Sequence, residues 1–293
     1  MGYHKILVPF TGSDRYAGML PTAMSIGDQF NAYCEILFIR PEPYQALPYL
    51  GDAAPGVVVK EIVERANEAA DSSVKKLQSA LEKAAKDAGA QLVDQTVPAG
   101  KFCTRLVERS GETIEVATRR SRLCDLVLFV GGEGHGEVAV SLALTAVLMK
   151  TGRPVLILPG TNYKGSIGNN IVIAWDGSIE AANAVKGAIP FLKRASSIKI
   201  FNVQRNIEEA GVDTGFAEAV GEYLDLLGLK HTEAIIDAEA KGVAQTLLEK
   251  ASEHEADLLV MGGYGHSRVR ELILGGVTQH ILNHTTIPVL LAH

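Results

Sequence analysis

The stretch that decides the fold is Asp257-Leu258-Leu259-Val260-Met261-Gly262-Gly263-Tyr264-Gly265-His266, with Gly275-Gly276-Val277-Thr278 after nine residues beyond Gly265. A short run that is apolar without alternation reads as a strand buried on both faces, and such strands belong to parallel sheets flanked by helices. The glycines after Met261 then form a strand-to-helix turn. Glycine there exposes bare backbone N–H groups and lets a ligand approach closely, which a phosphate group needs. The Gly275-Gly276 pair opens a new helix, whose N-terminus attracts anions, and Thr278 adds a hydroxyl. His266, Arg268 and Arg270 lie between the two glycine sets.

Working outward, the same pattern occurs twice. Asn170-Ile171-Val172-Ile173-Ala174-Trp175-Asp176-Gly177-Ser178 reads as a buried strand and a turn, and Lys5-Ile6-Leu7-Val8-Pro9-Phe10-Thr11-Gly12-Ser13 reads the same way 165 residues earlier. Helices follow at Ala17 to Phe30 and Ile179 to Leu192, then strands at Glu35 to Ile39 and Lys199 to Val203. Next come a long amphipathic helix, Val57 to Ala88, and a shorter one, Gly215 to Leu227. In the long helix, Ile62, Ala66, Ala69, Val74, Leu77, Leu81 and Ala84 form one apolar stripe, and Gly89 is its C-cap. Third strands are expected at Gln91 to Val97 and Lys230 to Ile236, followed by helices at Phe102 to Ser121 and Val243 to His254. The fourth strands, Asp125 to Val130 and Asp257 to Met261, run into the glycine turns, and Val155 to Leu158 and Val289 to Ala292 close the halves.

This alternation predicts an α/β chain of two domains, 1–159 and 165–293, joined by the turn-rich tract Pro159 to Ser166. In such open sheets ligands bind beyond the carboxyl ends of the strands, where strand order reverses. In the second half, Ala174-Trp175-Asp176, Val203 and the turn after Met261 converge there.

Apolar residues make up 47% and charged residues 21%, which excludes a disordered chain, and the net charge of −6 argues against a nucleic-acid binder. Val138 to Met149 is the longest nearly uncharged run and is too short to span a bilayer. Cys34, Cys103 and Cys124 lack metal spacing and fit a reducing, cytoplasmic setting as small apolar residues. His280 and His284, at i and i+4, have zinc-compatible spacing but read more simply as surface histidines near a helix end, so no metal site is expected. No nucleophile, base and acid assemble into a catalytic set, so no enzymatic activity is expected.

The spacing Gly262, two residues, Gly265, nine residues, Gly275 resembles the nucleotide signature of the universal stress protein family, in its tandem two-domain form, over essentially the whole chain. The resemblance implies two Rossmann-like domains, each an open parallel five-stranded sheet of order 3-2-1-4-5 with helices on both faces. It also implies ATP, ADP or AMP, with or without Mg²⁺, in a stress-response or regulatory role, the alternatives being a slow ATP hydrolase or an interaction module that has lost nucleotide binding. Asp176 would then approach the nucleoside and Val203 the adenine, with Gly262, Gly265, His266, Arg268, Gly275, Gly276, Val277 and Thr278 around ribose and phosphates. Gly276 stands where the family usually has serine. The last strands of the two halves would pair within one chain, and two chains would associate as a homodimer.

The first half reads as a degenerate copy. A gap-free alignment sets Gly131 on Gly262 and Gly134 on Gly265, and then places Leu144-Thr145 where the second glycine pair should be. Thr11 replaces Asp176, and Glu133, Glu137 and Ala139 replace Tyr264, Arg268 and Arg270. A carboxylate facing phosphates repels them, whereas an arginine attracts.

Overall fold

In the computed structural model the described residues are 2–10, 14–40, 42, 56–131, 138–204, 215–238, 242–263 and 276–293. Their strands are β1 (Lys5–Phe10), β2 (Tyr33–Arg40), β3 (Gln91–Leu92), β4 (Cys103–Ser110), β5 (Leu126–Val130), β6 (Val155–Leu158), β7 (Asn170–Ala174), β8 (Ser197–Gln204), β9 (Thr232–Asp237), β10 (Leu258–Gly262) and β11 (Val289–Ala292). Their α-helices are α1 (Leu20–Phe30), α2 (Gly56–Ala88), α3 (Thr113–Ser121), α4 (Val138–Thr151), α5 (Ile179–Leu192), α6 (Gly215–Leu226), α7 (Val243–Glu253) and α8 (Gly276–His284). A 3-10 turn, Asp14–Met19, precedes α1.

The strands form one 11-stranded sheet of order β3-β4-β2-β1-β5-β6-β11-β10-β7-β8-β9. The β4-β2-β1-β5-β6 portion follows the expected 3-2-1-4-5 order, and β9-β8-β7-β10-β11 repeats it. β6 and β11, the last strands of the two halves, pair antiparallel as expected and join the two portions into this one sheet. All other pairings are parallel, so the carboxyl ends of the two sets of strands lie on opposite edges.

Two aspartates set the register in the same way in each half. Asp125 Oδ2 accepts the N–H groups of His4 at 2.7 Å and Lys5 at 2.9 Å. Asp257 Oδ1 accepts those of Gly168 at 3.0 Å and of Asn169 and Asn170 at 2.9 Å. Each carboxylate thereby pins the start of the first strand to the start of the fourth. Val130 pairs with Leu158, and Gly262 pairs with Ala292. Val130 is therefore the counterpart of Gly262, and Gly131 that of Gly263. The Gly131 N–H bonds Leu158 O at 2.7 Å, and the Gly263 N–H bonds Ala292 O at 2.9 Å. The gap-free alignment of Gly131 on Gly262 is thus off by one residue.

Helices cover both faces. One face buries Ile6, Val8, Ile171 and Ile173 under α1, α2, α5 and α6, and the other buries Leu7, Val127, Val172 and Leu259 under α3, α4, α7 and α8. Each such side chain contributes roughly 1.5–3 kcal/mol. Across the seam between the halves, Tyr3, Phe30 and Phe191 pack edge-on at 4.8–5.4 Å, and the Tyr3 hydroxyl donates to Gly187 O at 2.7 Å.

Local corrections have identifiable causes. The expected strand Gln91 to Val97 shortens to β3, and the expected helix Phe102 to Ser121 divides into β4 and α3. Gly111, at φ +144°, breaks that stretch, and Glu112 then caps α3 by accepting the N–H groups of Ile114 and Glu115. β4 pairs with β2 from Tyr33 to Arg40, so tertiary pairing overrides local helix propensity. In α2 the inward stripe holds for Leu77, Leu81 and Ala84, while Ala66 and Ala69 are exposed.

Candidate functional site

β7 lies between β8 and β10, and the chain leaves it in opposite directions across the sheet, so its carboxyl end is the switch point of the second half. Ala174 pairs with Phe201 on one side and Met261 on the other. The Trp175 N–H continues the ladder to Phe201 O at 2.9 Å, and the Trp175 side chain packs half-buried against the core. Val203 is half-buried one residue before the end of β8.

The turn after β7 is built by its own residues. Gly177 takes φ +75°, which favours glycine. Asp176 is exposed, and its Oδ1 accepts the Ser178 N–H at 3.0 Å and the Ser178 hydroxyl at 2.6 Å. Ser178 Oγ in turn accepts the Ala181 N–H at 3.1 Å, an N-cap that starts α5. Gly262 lies directly beneath this first turn. A Cβ on Gly262 would meet Ala181 N at 2.6 Å and Glu180 C and Cβ at 2.9 Å. The glycine therefore first serves helix-to-strand packing, a role the phosphate reading of the sequence overlooks.

α8 supplies the other wall. It precedes β11, which runs parallel to β10, and Ile281 and Leu282 pack it onto the sheet. A crossover helix runs antiparallel to the strand it feeds, so the α8 N-terminus lies at the carboxyl edge. Gly276 is exposed there, and a Cβ on it would meet nothing within 4 Å. Val277 is half-buried against the core. Thr278 is only 4% exposed, on the face shared with Ile281 and Leu282, so its hydroxyl is not offered openly to a ligand as the sequence suggested. Gly265, His266, Arg268, Arg270 and Gly275 lie outside the described residues.

Three further residues border Gly262 and Gly263. His293 Nδ1 is 3.2 Å from Gly263 O and 3.9 Å from Glu180 Oε1, and Asn183 Nδ2 donates to His293 O at 3.2 Å. The signal for His293 was available: a residue one past β11 must sit beside a residue one past β10 when those strands pair in parallel.

The edge of the first half differs in structure as well as sequence. Arg40, which ends β2, is held by Asp71 at 2.6 Å and Glu108 at 2.5 Å, and these hydrogen-bonded carboxylates raise its guanidinium further above its ordinary range. Gln204 stands at the equivalent point of β8. In the register that matches Val130 to Gly262, Leu144 is the counterpart of Gly276 and lies inside α4. Leu144 and Thr145 are buried within that helix. Thr11, Glu133, Gly134 and Glu137 lie outside the described residues, as does the side chain of Ala139.

Residues 169–293 match the model of the universal stress protein family. A universal stress protein of Synechocystis sp. is 34% identical over 82 residues, 28% of this chain and 26% of the relative. One of Methanocaldococcus jannaschii is 27% identical over 99 residues, 34% of this chain and 51% of the relative. The matches thus span about a quarter and about half of those relatives' lengths. The crystal structure of a universal stress protein from Archaeoglobus fulgidus superposes with a TM-score of 0.69 at 17% identity, covering 98% of this chain and 95% of that one, which establishes likeness of fold.

Proposed function

We propose, from the premise that this chain belongs through its residues 169–293 to the universal stress protein family, that its second half binds an adenine nucleotide, ATP in the first instance, in a regulatory role. The observation that carries this reading is Gly276, exposed as the first described residue of α8. Gly276 lies toward the edge where β7, β8 and β10 end, and a Cβ on it would meet nothing within 4 Å. Exposed N–H groups at a helix start favour phosphate oxygens. Ala174, Trp175 and Val203 offer apolar surface for a base, and Asp176 offers an acceptor for a ribose hydroxyl or an adenosine amine. Gly265, His266, Arg268, Gly275 and Gly276 complete the phosphate side in this reading, while Gly262 and Thr278 pack the elements beneath it. Mg²⁺ would be carried on the nucleotide.

The reading is of a binder rather than a catalyst. Turnover of labelled ATP by the pure protein would replace it with a slow hydrolase. No helix among the described residues is long and apolar enough to cross a membrane. We assign the protein to the cytoplasm, with association of two chains measurable by light scattering, and domains at 1–159 and 165–293.

One titration pair tests the site. Trp175, the single tryptophan, reports on the pocket by its emission as ATP is added. Asp176→Asn is expected to weaken ATP equally with and without Mg²⁺, as a nucleoside contact requires. Weakening only with Mg²⁺ would give Asp176 a metal role instead. Emission and affinity both indifferent to the substitution would remove the site from this edge.

A further inference from the structure

We propose that His280 and His284 on α8 form a two-imidazole site for a divalent transition metal ion of the zinc, copper or nickel type, independent of nucleotide binding. Their spacing of four residues sets both side chains on one helix face. The rings stack with centroids 4.2 Å apart and planes 22° apart. His280 is half-buried and His284 exposed, so the pair meets solvent.

The tautomer of His284 is fixed by its partner. His284 Nδ1 lies 2.8 Å from His280 O. A carbonyl oxygen only accepts, so Nδ1 carries the hydrogen and Nε2 of the neutral ring holds the lone pair. Metal-binding histidines characteristically donate their other ring N–H to a carbonyl or carboxylate, which orients the ring and raises ligand basicity. That arrangement is present here before any metal arrives. For one ion to sit about 2.0–2.1 Å from a nitrogen of each ring, the rings turn out of their stack so that their in-plane lone pairs converge.

Among the described residues no group of three His, Cys, Asp or Glu side chains is placed to hold a metal. The pair is therefore a two-point chelate, with water or an outside ligand completing the coordination. Imidazole nitrogens favour zinc, copper and nickel over magnesium and calcium, which require oxygen donors. Protons compete with the metal for the same lone pairs, so affinity falls with pH.

The experiment is calorimetric titration of ZnCl₂ into the full chain without nucleotide, followed by the same titration on His280→Ala and His284→Ala. One ion per chain is expected, unaffected by excess MgCl₂. Loss of an outer-shell partner alone costs about 10–100-fold in affinity, and loss of one of only two imidazoles is expected to cost at least as much. Both positions are on the solvent side of α8, and circular dichroism of each variant checks that the helix persists. His231→Ala is the control, because His231 sits 3.2 Å from Glu233 and 3.7 Å from Asp225 and is the rival metal ligand. Unchanged zinc affinity in that control supports the proposal. No heat with zinc, or binding that survives both α8 substitutions, overturns it whatever the outcome with ATP.

Discussion

Replacing Gly262 with alanine tests the central packing of the candidate site. The added Cβ would lie 2.6 Å from Ala181 N and 2.9 Å from two atoms of Glu180, two of the three contacts being backbone. Ordinary contact begins near 3.4 Å, so about 0.8 Å must be made up by moving the first turn of α5. That turn is tied down by the Ser178 cap and the Asp176 bonds, so it cannot shift cheaply. Overpacking of this kind costs about 1–3 kcal/mol. At about 2–4 °C per kcal/mol for chains of this size class, the melting temperature should fall by roughly 2–12 °C. Calorimetric melting of Gly262→Ala beside Gly276→Ala provides the assay, because a Cβ on Gly276 meets nothing within 4 Å. Gly276→Ala should melt at or slightly above the parent temperature, since a compatible Gly→Ala change contributes about 0.4–1 kcal/mol through the unfolded chain. If Gly262→Ala melts with the parent, α5 does not press on β10 and the account of the turn fails.

Gly276→Ser should fold like the parent and tighten ATP in calorimetry, because a hydroxyl then joins the open helix end; weaker binding would place the phosphates elsewhere. Tyr3→Phe removes the bond to Gly187 O across the seam, and urea unfolding should show a loss of about 0.5–1.5 kcal/mol. Burial pushes the Cys34 thiol up to about 12 and the Cys124 thiol up to about 11. Thiols of the unfolded chain ionise near pH 8.5 while these stay protonated, so their contribution is whole below that pH and is lost as pH rises through the folded values, at about 1.4 kcal/mol per pH unit per thiol. Stability followed from pH 8 to 11 should therefore decline, and a Cys34→Ala, Cys124→Ala double variant should decline less steeply; equal slopes would count against the burial account.

The sequence makes the alternation of buried strands and helices legible because each strand is a continuous apolar run and each turn carries its own glycine or cap. Ser178 and Gly89 fall where local chemistry requires them. What local chemistry could not show was competition between distant segments. Cys103 to Ser110 reads as helix in isolation and becomes β4 because β2 offers it a complete ladder. The alignment of Gly131 with Gly262 failed for a related reason: two glycines in a row make either register plausible until Asp125 and Asp257 fix it. At the candidate site, Trp175 and Asp176 follow β7 and Val203 lies near the end of the neighbouring β8, positions that strand order makes legible. Glu180, Asn183 and His293 were missed because their proximity depends on how α5 and β11 pack over the end of β10.

The antiparallel contact between β6 and β11 has a consequence for stoichiometry. Two separate copies joined through such strands would present identical mouths and would come apart on dilution. Here the peptide chain itself keeps the partners together, at an effective concentration that dilution cannot change. Each molecule then carries two unlike carboxyl edges on opposite sides, one with Asp176 and Gly262 and one where Arg40 is held by Asp71 and Glu108. The ratio of the two kinds of edge is fixed at one to one by covalent linkage.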